Sequence, residues 1–199
     1  MRLRTEIAGD LHDEVGGNLA SIAINSELLA MDEQLGPETR EELSGINRVA
    51  IETAQSVRDI VWLNNPKFDT LPEMAERMAD VSAMLLTGKE WQLRVTPEPL
   101  PDTTLSLLLR RHAFLGFKEI LTNIARHSEA KRVEIELRAP RGWIEIRVRD
   151  DGRGFAPATV RQGHGLKSLA HRVAQVGGTL DVNSAPGRGT TVELKMPVK

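Results

Sequence analysis

Apolar residues recur at helical intervals in two segments of the first third of the chain. Between Arg4 and Met31, a stretch without proline, they are spaced by one or two helical turns, which predicts a helix. Leu35-Gly36-Pro37 ends that helix, and a second is predicted from Glu38 to Leu63, where the spacing alternates between three and four. The positions that define the two stripes are Leu11, Val15, Ile22 and Leu29, and then Leu43, Ile46, Ala50, Thr53, Val57 and Ile60.

The two predicted helices share too little surface to be stable alone. Joined by a short loop they form an antiparallel hairpin, and each helix needs a further apolar surface to cover its stripe. A homodimer, in which two hairpins make a four-helix bundle, supplies that surface. Asn64-Asn65-Pro66 breaks the second helix, because the residue before proline avoids the helical conformation. We therefore predict a helical domain over residues 1–65 and a second domain over residues 66–199.

The second domain mixes helical and strand patterns. Helices are predicted near residues 71–86, 103–127 and 165–176, where apolar positions follow the helical period. Strands are predicted where apolar and polar residues alternate, at residues 91–96, 133–137, 143–148, 179–183 and 190–196. Strands gathered in one layer and helices in another predict a two-layer α+β sandwich.

Composition excludes several classes of function. Lys and Arg total 26 against 28 for Asp and Glu, so a net charge of -2 gives no electrostatic reason to expect a nucleic-acid surface. The absence of cysteine excludes disulfides and thiolate metal sites. No apolar run approaches the ~20 residues of a membrane-spanning helix, and the first residues lack the hydrophobic stretch of a signal peptide. The expectation is a soluble, cytoplasmic segment without direct nucleic-acid or membrane contact.

The predicted helix over residues 103–127 carries polar residues on one face. Glu119, Asn123 and His127 are four apart and share that face, while the large apolar residues lie roughly opposite. Carboxylate and amide oxygens one turn apart are ligands for Mg²⁺ or its waters, and Arg126 and His127 are donors to phosphate. Considered alone, this segment favours an ordinary solvated polar face.

Three glycine-containing motifs follow. Asp150 ends a predicted strand, and Gly152 and Gly154 allow the backbone to turn sharply beside it. A buried carboxylate there can accept a hydrogen bond from an exocyclic amine such as that of adenine. Gly163-His164-Gly165-Leu166 opens a helix, where free backbone N–H groups favour phosphate, and Thr190 follows Gly187-Arg-Gly189. Each motif taken singly also fits a turn or a helix cap.

A histidine near the start of the chain completes the set. His12 is offset from the apolar stripe of the first predicted helix, so it should border solvent. An exposed imidazole can act as a nucleophile when Asp13 orients it and accepts its proton. A single histidine on a helix is more often a surface residue without a special role.

Taken together and in order, these motifs resemble the sensor histidine kinases of two-component systems, specifically their NarL-associated subfamily. The resemblance spans nearly the whole chain and implies a phosphoacceptor hairpin followed by a GHKL-type ATPase domain. It implies that His12 is phosphorylated from ATP, that Asp13 is the adjacent base, and that Glu119 positions the attacking group and, with Asn123, holds Mg²⁺. The remaining implied nucleotide contacts are Arg126, His127, Asp150, Gly152, Gly154, Gly163, His164, Gly165, Leu166 and Thr190. The implied partners are a second copy of the chain and a response regulator, expected to be NarL-like, and the implied location is the cytoplasmic portion of a sensor.

Two departures from the family pattern bear on this interpretation. Gly17 lies where dephosphorylating relatives commonly carry glutamine, and Leu169-Ala-His-Arg172 replaces a common Met-Arg-Glu-Arg. The alternatives are a nucleotide-binding pseudokinase that acts as a scaffold, and an ATPase or serine kinase of the same superfamily. A phosphoacceptor on one domain and a nucleotide site on another also require a hinge, which we expect over residues 64–70.

Overall fold

The computed structural model describes residues 15–156 and 164–198. The chain divides into two compact units, Met1–Phe68 and Asp69–Lys199. Within the described ranges, no helix combines the length and the apolar character needed to cross a membrane.

The first unit is a helical hairpin. Helix α1 covers Gly16–Ala30 and helix α2 covers Pro37–Asn64. The hairpin buries small side chains, among them Ala23 and Ala50, and the Asn47 side-chain amide donates to the Ala23 carbonyl oxygen at 2.7 Å. The larger aliphatic residues of the predicted stripes point elsewhere: about half of the surface of each of these side chains is exposed, at Ile22, Leu29, Ile46 and Ile60.

Helix α2 begins and ends where its flanking residues require. Pro37 occupies the first turn, where its missing N–H costs nothing, and Asn65 adopts an extended conformation ahead of Pro66. A single 3₁₀ turn, Pro66–Phe68, follows, and the Asn65 side chain accepts from the Lys67 N–H at 3.0 Å. The Trp62 and Phe68 rings stack with centroids 6.4 Å apart, which ties this turn to the end of α2.

The second unit is the predicted α+β sandwich. Its elements are α3 (Leu71–Leu85), β1 (Glu90–Thr96), α4 (Leu107–Asn123), β2 (Arg132–Arg138), β3 (Trp143–Asp150), α5 (His164–Gln175), β4 (Thr179–Ser184) and β5 (Thr190–Pro197). The strands form one sheet in the order β1-β2-β3-β5-β4, in which the β1–β2 pair is parallel and the other pairs are antiparallel. Alternate strand residues face a core shared with the helices, in which Phe114, Phe117, Ile135, Ile146 and Leu194 are completely buried.

Helix α4 is shorter than the sequence predicts at both ends. It starts at Leu107, because the Ser106 hydroxyl caps the Leu109 N–H at 3.2 Å and residues 103–105 instead bond to the chain entering α3. Its C-terminal end widens into a π-helical turn, Ile124–Ser128. This turn carries His127 beyond the end of the regular α-helix, so the simple spacing of four places it only approximately.

Candidate functional site

A cleft of about 460 Å³ opens in the second unit between α4, α5 and the ends of β3 and β5. Its lining combines apolar walls with a few polar groups, which is typical of a small-molecule site. The lining residues are Ile120, Asn123, Ile124, His127, Ser128, Val148, Asp150, Arg153, Gly154, Phe155, Gly165, Leu166, Leu169, Thr190 and Val192.

Asp150 is a buried polar residue of the cleft floor. It is the last residue of β3, pairs with Thr190 across the sheet, and is only 3% exposed. One carboxylate oxygen, Oδ1, accepts from the Gly152 N–H at 2.9 Å. Burial raises the pKa of Asp150, the Gly152 hydrogen bond opposes that shift, and the neighbouring Asp151 reinforces it. A buried acceptor held in place by the backbone can recognise an N–H donor of a ligand.

The turn after Asp150 leaves no room for side chains at two glycines. A Cβ at Gly152 would lie 2.2 Å from the Ser128 carbonyl oxygen, which also accepts from the Arg153 N–H at 2.7 Å. Gly154 has φ +59, and a Cβ there would lie 2.1 Å from the Ala185 carbonyl oxygen. Glycine is therefore required at both positions for the backbone to pass so close to its neighbours. Of the two, Gly154 lines the cleft, whereas Gly152 lies outside the lining and holds the Asp150 carboxylate through its N–H.

The polar face of α4 meets the start of α5 at the cleft rim. A Cβ built on Gly165 would lie 2.8 Å from Glu119 Oε1, 3.7 Å from Asn123 Nδ2 and 3.9 Å from Asn123 Oδ1, so both side chains approach the helix start. Asn123 and His127 line the cleft. Glu119 is half-buried beside it, and Arg126 is exposed on the π-helical turn, outside the lining set.

Most of the predicted site residues are therefore described, but not all. His12, Asp13 and Gly163 lie outside the described residues. His164 is the first residue of α5, and Leu166, two residues farther along, lines the cleft.

Sequence reasoning missed the apolar walls of the cleft. These walls are formed by Ile120, Ile124, Val148, Leu169 and Val192. The strand alternation that places Val148 and Val192 inward was a usable signal, because both adjoin glycine-containing motifs. Arg153 and Phe155 carry no such signal, since their contribution depends on the path of the turn after Asp150.

Two family models match the chain and together cover most of it. Residues 4–68 match the model described as histidine kinase. Residues 110–199 match the model described as histidine kinase-, DNA gyrase B-, and HSP90-like ATPase, and every residue that lines the cleft lies within this range.

Named relatives extend over nearly the whole chain. "Sensor histidine kinase LiaS" of Bacillus subtilis is 27% identical over 201 residues, which is 98% of this chain and 54% of the relative. "Sensor protein VraS" of Staphylococcus epidermidis is 26% identical over 197 residues, 98% of this chain and 55% of the relative. The chain thus spans about half the length of these relatives.

Solved structures share the fold. The histidine kinase domain from the Erythrobacter litoralis EL346 blue-light activated histidine kinase has a TM-score of 0.58 and 16% identity, covering 93% of this chain and 95% of that one. Full-length ShkA in complex with AMPPNP has a TM-score of 0.55 and 18% identity, covering 99% of this chain and 46% of that one.

A mixed sheet covered by helices on one face, with a cleft floored by a buried carboxylate, defines a GHKL-type ATPase domain, as the sequence predicted. That domain follows a helical region matched by the histidine kinase model. The chain therefore carries the two domains of a sensor histidine kinase, which confirms the resemblance drawn from its motifs.

Proposed function

We propose that this chain uses ATP to phosphorylate its own His12 and then passes the phosphoryl group to an aspartate of a response regulator. The observation that carries the proposal is Asp150, a buried carboxylate at the floor of a cleft that lies wholly within the ATPase-matched range. The solved structure of full-length ShkA, which shares the fold, is a complex with AMPPNP, an ATP-like nucleotide, and this supports a nucleotide as the occupant here.

In this proposal different residues of the cleft bind different parts of the nucleotide. Asp150 accepts from the adenine amine, with Thr190 beside it and the turn through Gly152 and Gly154 holding it in position. The residues assigned to the phosphates and to the segment covering them are Arg126, His127, Gly163, His164, Gly165 and Leu166. Backbone N–H groups at the start of α5 favour phosphate, since a helix N-terminus carries partial positive charge.

Glu119 and Asn123 are the residues we propose to hold Mg²⁺. Both side chains approach Gly165, where a Cβ would lie 2.8 Å from Glu119 Oε1 and 3.9 Å from Asn123 Oδ1. No group of three or more His, Cys, Asp or Glu suited to a metal occurs in the part of the chain that the structure describes. Two protein oxygens completed by phosphate oxygens and water is a usual arrangement for Mg²⁺. Bound there, the ion would neutralise phosphate charge during transfer.

The transfer step assigns a separate task to His12 and Asp13. An imidazole nitrogen of His12 attacks the γ-phosphorus, so that an N–P bond forms while the P–O bond to the leaving ADP breaks. The imidazole proton passes to the Asp13 carboxylate. Because the transition state for phosphoryl transfer is loose, positioning and charge neutralisation by the cleft supply most of the catalysis.

The hairpin is the surface we propose for homodimerisation. Ile22, Leu29, Ile46 and Ile60 leave about half of their side-chain surface exposed, an apolar stripe that a second hairpin would cover in a four-helix bundle. Light scattering on the chain should give twice the monomer mass of 22.0 kDa. The response regulator is expected to be NarL-like. For this chain we expect no direct contact with nucleic acid or membrane, and a location in the cytoplasm, where ATP is supplied.

We propose a hinge that is narrower than the sequence indicates. The domain boundary was expected at residue 65, whereas the Trp62–Phe68 stack keeps the next turn with α2. From Asp69 onward the chain is tied to the second unit, since the Asp69 carbonyl accepts from the Leu105 N–H at 2.6 Å. The Phe68–Asp69 link, where the two units meet along the chain, is therefore the proposed pivot.

Incubation with Mg²⁺ and γ-labelled ATP tests the proposal. We expect acid-labile, alkali-stable label that disappears in His12→Ala and persists in the control His171→Ala, which changes an exposed histidine of α5. Label that persists in His12→Ala would indicate a hydroxyl acceptor and redirect the assignment to a serine kinase. Nucleotide binding without any label would instead indicate a pseudokinase scaffold.

A further inference from the structure

Ser184 lies at the end of β4, behind the cleft wall, and is only 8% exposed. Its hydroxyl oxygen accepts from the Phe155 N–H at 2.9 Å. The same hydroxyl donates to the Gly189 carbonyl oxygen at 3.1 Å and lies 2.9 Å from the Thr190 hydroxyl oxygen. One buried side chain thus contacts both chain segments that line the cleft around Asp150.

Counting protons at this hydroxyl determines the direction of the hydrogen bond to Thr190. A serine hydroxyl has one proton to donate and two lone pairs that accept. The Gly189 carbonyl oxygen can only accept, so the Ser184 hydroxyl donates its one proton to it. The Phe155 N–H donates to one of the two lone pairs on the Ser184 oxygen. The distance alone allows either oxygen to donate, and this count assigns the Thr190 hydroxyl as the donor to the remaining Ser184 lone pair.

We propose that Ser184 is a positioning residue of the nucleotide site, because its oxygen accepts a hydrogen bond from the Thr190 hydroxyl. The Thr190 oxygen is thereby left as a hydrogen-bond acceptor beside Asp150. Asp150, when ionised, is also an acceptor. The cleft floor then presents two acceptors and no hydroxyl donor at these two residues. Such a floor suits the 6-amino group of adenine and leaves the 6-oxo group of hypoxanthine without a donor.

This inference rests on the proposed function, since it concerns how the same cleft chooses its nucleotide. Removing the Ser184 hydroxyl has two separable consequences. The Phe155 N–H loses its acceptor, which should weaken every nucleotide to a similar degree. The Thr190 hydroxyl also loses its acceptor, so its O–H can rotate toward the ligand. This should weaken the binding of ATP and strengthen the binding of ITP. The ratio of the two affinities therefore reports on Ser184 specifically.

Calorimetric titration of the whole chain with Mg-ATP and Mg-ITP provides the test. For Ser184→Ala we expect the ATP-to-ITP affinity ratio to fall about five-fold, as expected for one neutral hydrogen bond. Ser184→Thr, which keeps the hydroxyl, should restore the ratio. The control Ser82→Ala removes a fully buried serine of α3 whose hydroxyl donates to the Met78 carbonyl oxygen at 2.7 Å, and it should leave the ratio unchanged.

A variant closer in size guards against a folding defect. Ser184→Cys keeps the shape of the side chain but is a poor acceptor, so it should lower the ratio even if the alanine variant does not fold. An unchanged ratio in a folded Ser184→Ala or Ser184→Cys protein overturns the inference while ATP binding by the unaltered chain still stands. Failure of the unaltered chain to bind ATP would instead remove the proposed function itself.

Discussion

Replacing Asp150 by asparagine changes the cleft floor at one atom. The Asp150 Oδ1 atom accepts from the Gly152 N–H at 2.9 Å, and the asparagine carbonyl oxygen can keep that bond. The other oxygen becomes an NH₂ group, so an acceptor is exchanged for a donor without a change of shape. A ligand amine that donated to the carboxylate would then face another donor.

The size of the effect follows from the charge of the group that is lost. A hydrogen bond to a charged partner contributes about 1.5–3 kcal/mol, so Asp150→Asn should weaken ATP binding by roughly ten- to 150-fold. The folded protein should not suffer equally. Burial raises the pKa of Asp150, which means that the fold disfavours the ionised form that asparagine replaces. We therefore expect the free energy of unfolding at neutral pH to stay within about 1 kcal/mol of the unaltered chain.

The same pKa shift predicts the sign of a pH effect. A carboxyl group with a raised pKa contributes stability that is fully present below its ordinary value of 3.8 and is lost as the pH rises through the folded-state pKa. Lowering the pH from neutrality should therefore stabilise the unaltered chain relative to Asp150→Asn, which has no group to titrate. Denaturant unfolding of the two proteins in parallel removes the contributions of all other groups from the comparison.

Titration with Mg-ATP and denaturant unfolding together decide the matter. Loss of binding with preserved stability is the expected result. Binding that survives in Asp150→Asn would refute the assignment of the floor to adenine. A large loss of stability at neutral pH would show instead that the carboxylate is a structural element of the turn.

Three further predictions follow from groups around the cleft and the linker. Gly152→Ala should abolish ATP binding and destabilise the second unit, since its Cβ would lie 2.2 Å from a carbonyl oxygen. The control Gly142→Ala, at a glycine with φ +77 and nothing within 4 Å, should lower the free energy of unfolding by only about 1 kcal/mol. Equal losses of stability in the two variants in melting experiments would contradict this. Burial and nearby positive charges lower the pKa of His112 below 6.5, so stability should fall as the pH drops below that value. His112→Leu should flatten this dependence in thermal melts, and a dependence that persists in that variant would contradict the assignment to His112. Pro66→Gly loosens the turn that leads into the Phe68–Asp69 pivot, so it should alter the rate of autophosphorylation more than the affinity for ATP, and equal effects on both would argue against that pivot.

The strand pattern could be predicted because the sheet is covered on one face. Alternation at Val133–Leu137 and Ile144–Val148 gave the strands almost to the residue, since each inward side chain is buried against helices. The parallel pairing of β1 with β2 could not be predicted from that pattern, because it depends on α4 crossing between them. The start of α4 was missed for a similar reason, since the backbone bonds of residues 103–105 are made with a distant segment.

The candidate site was predictable where a residue type has a strong local meaning. Asp150 stood out because it ends a strand and precedes two glycines, and Asn123 stood out because it shares a helix face with Glu119. Ser184 did not stand out, since nothing in its neighbours along the chain indicates that its hydroxyl would meet Phe155 and Thr190. Hydrogen bonds between residues distant in sequence appear only when the fold brings their strands together.

The floor and the rim of the cleft should respond differently to mutation for a structural reason. Around Asp150 the backbone passes so closely that a methyl group at Gly152 would meet a carbonyl oxygen, so most changes there disturb packing and binding together. At the rim, Asn123 and His127 are partly or largely exposed, and their side chains can be replaced without loss of core contacts. Variants at Asn123 should therefore lose autophosphorylation while keeping the stability of the fold. Asp150→Asn is the unusual floor variant, in which the shape of the side chain is kept and only its hydrogen-bonding character changes.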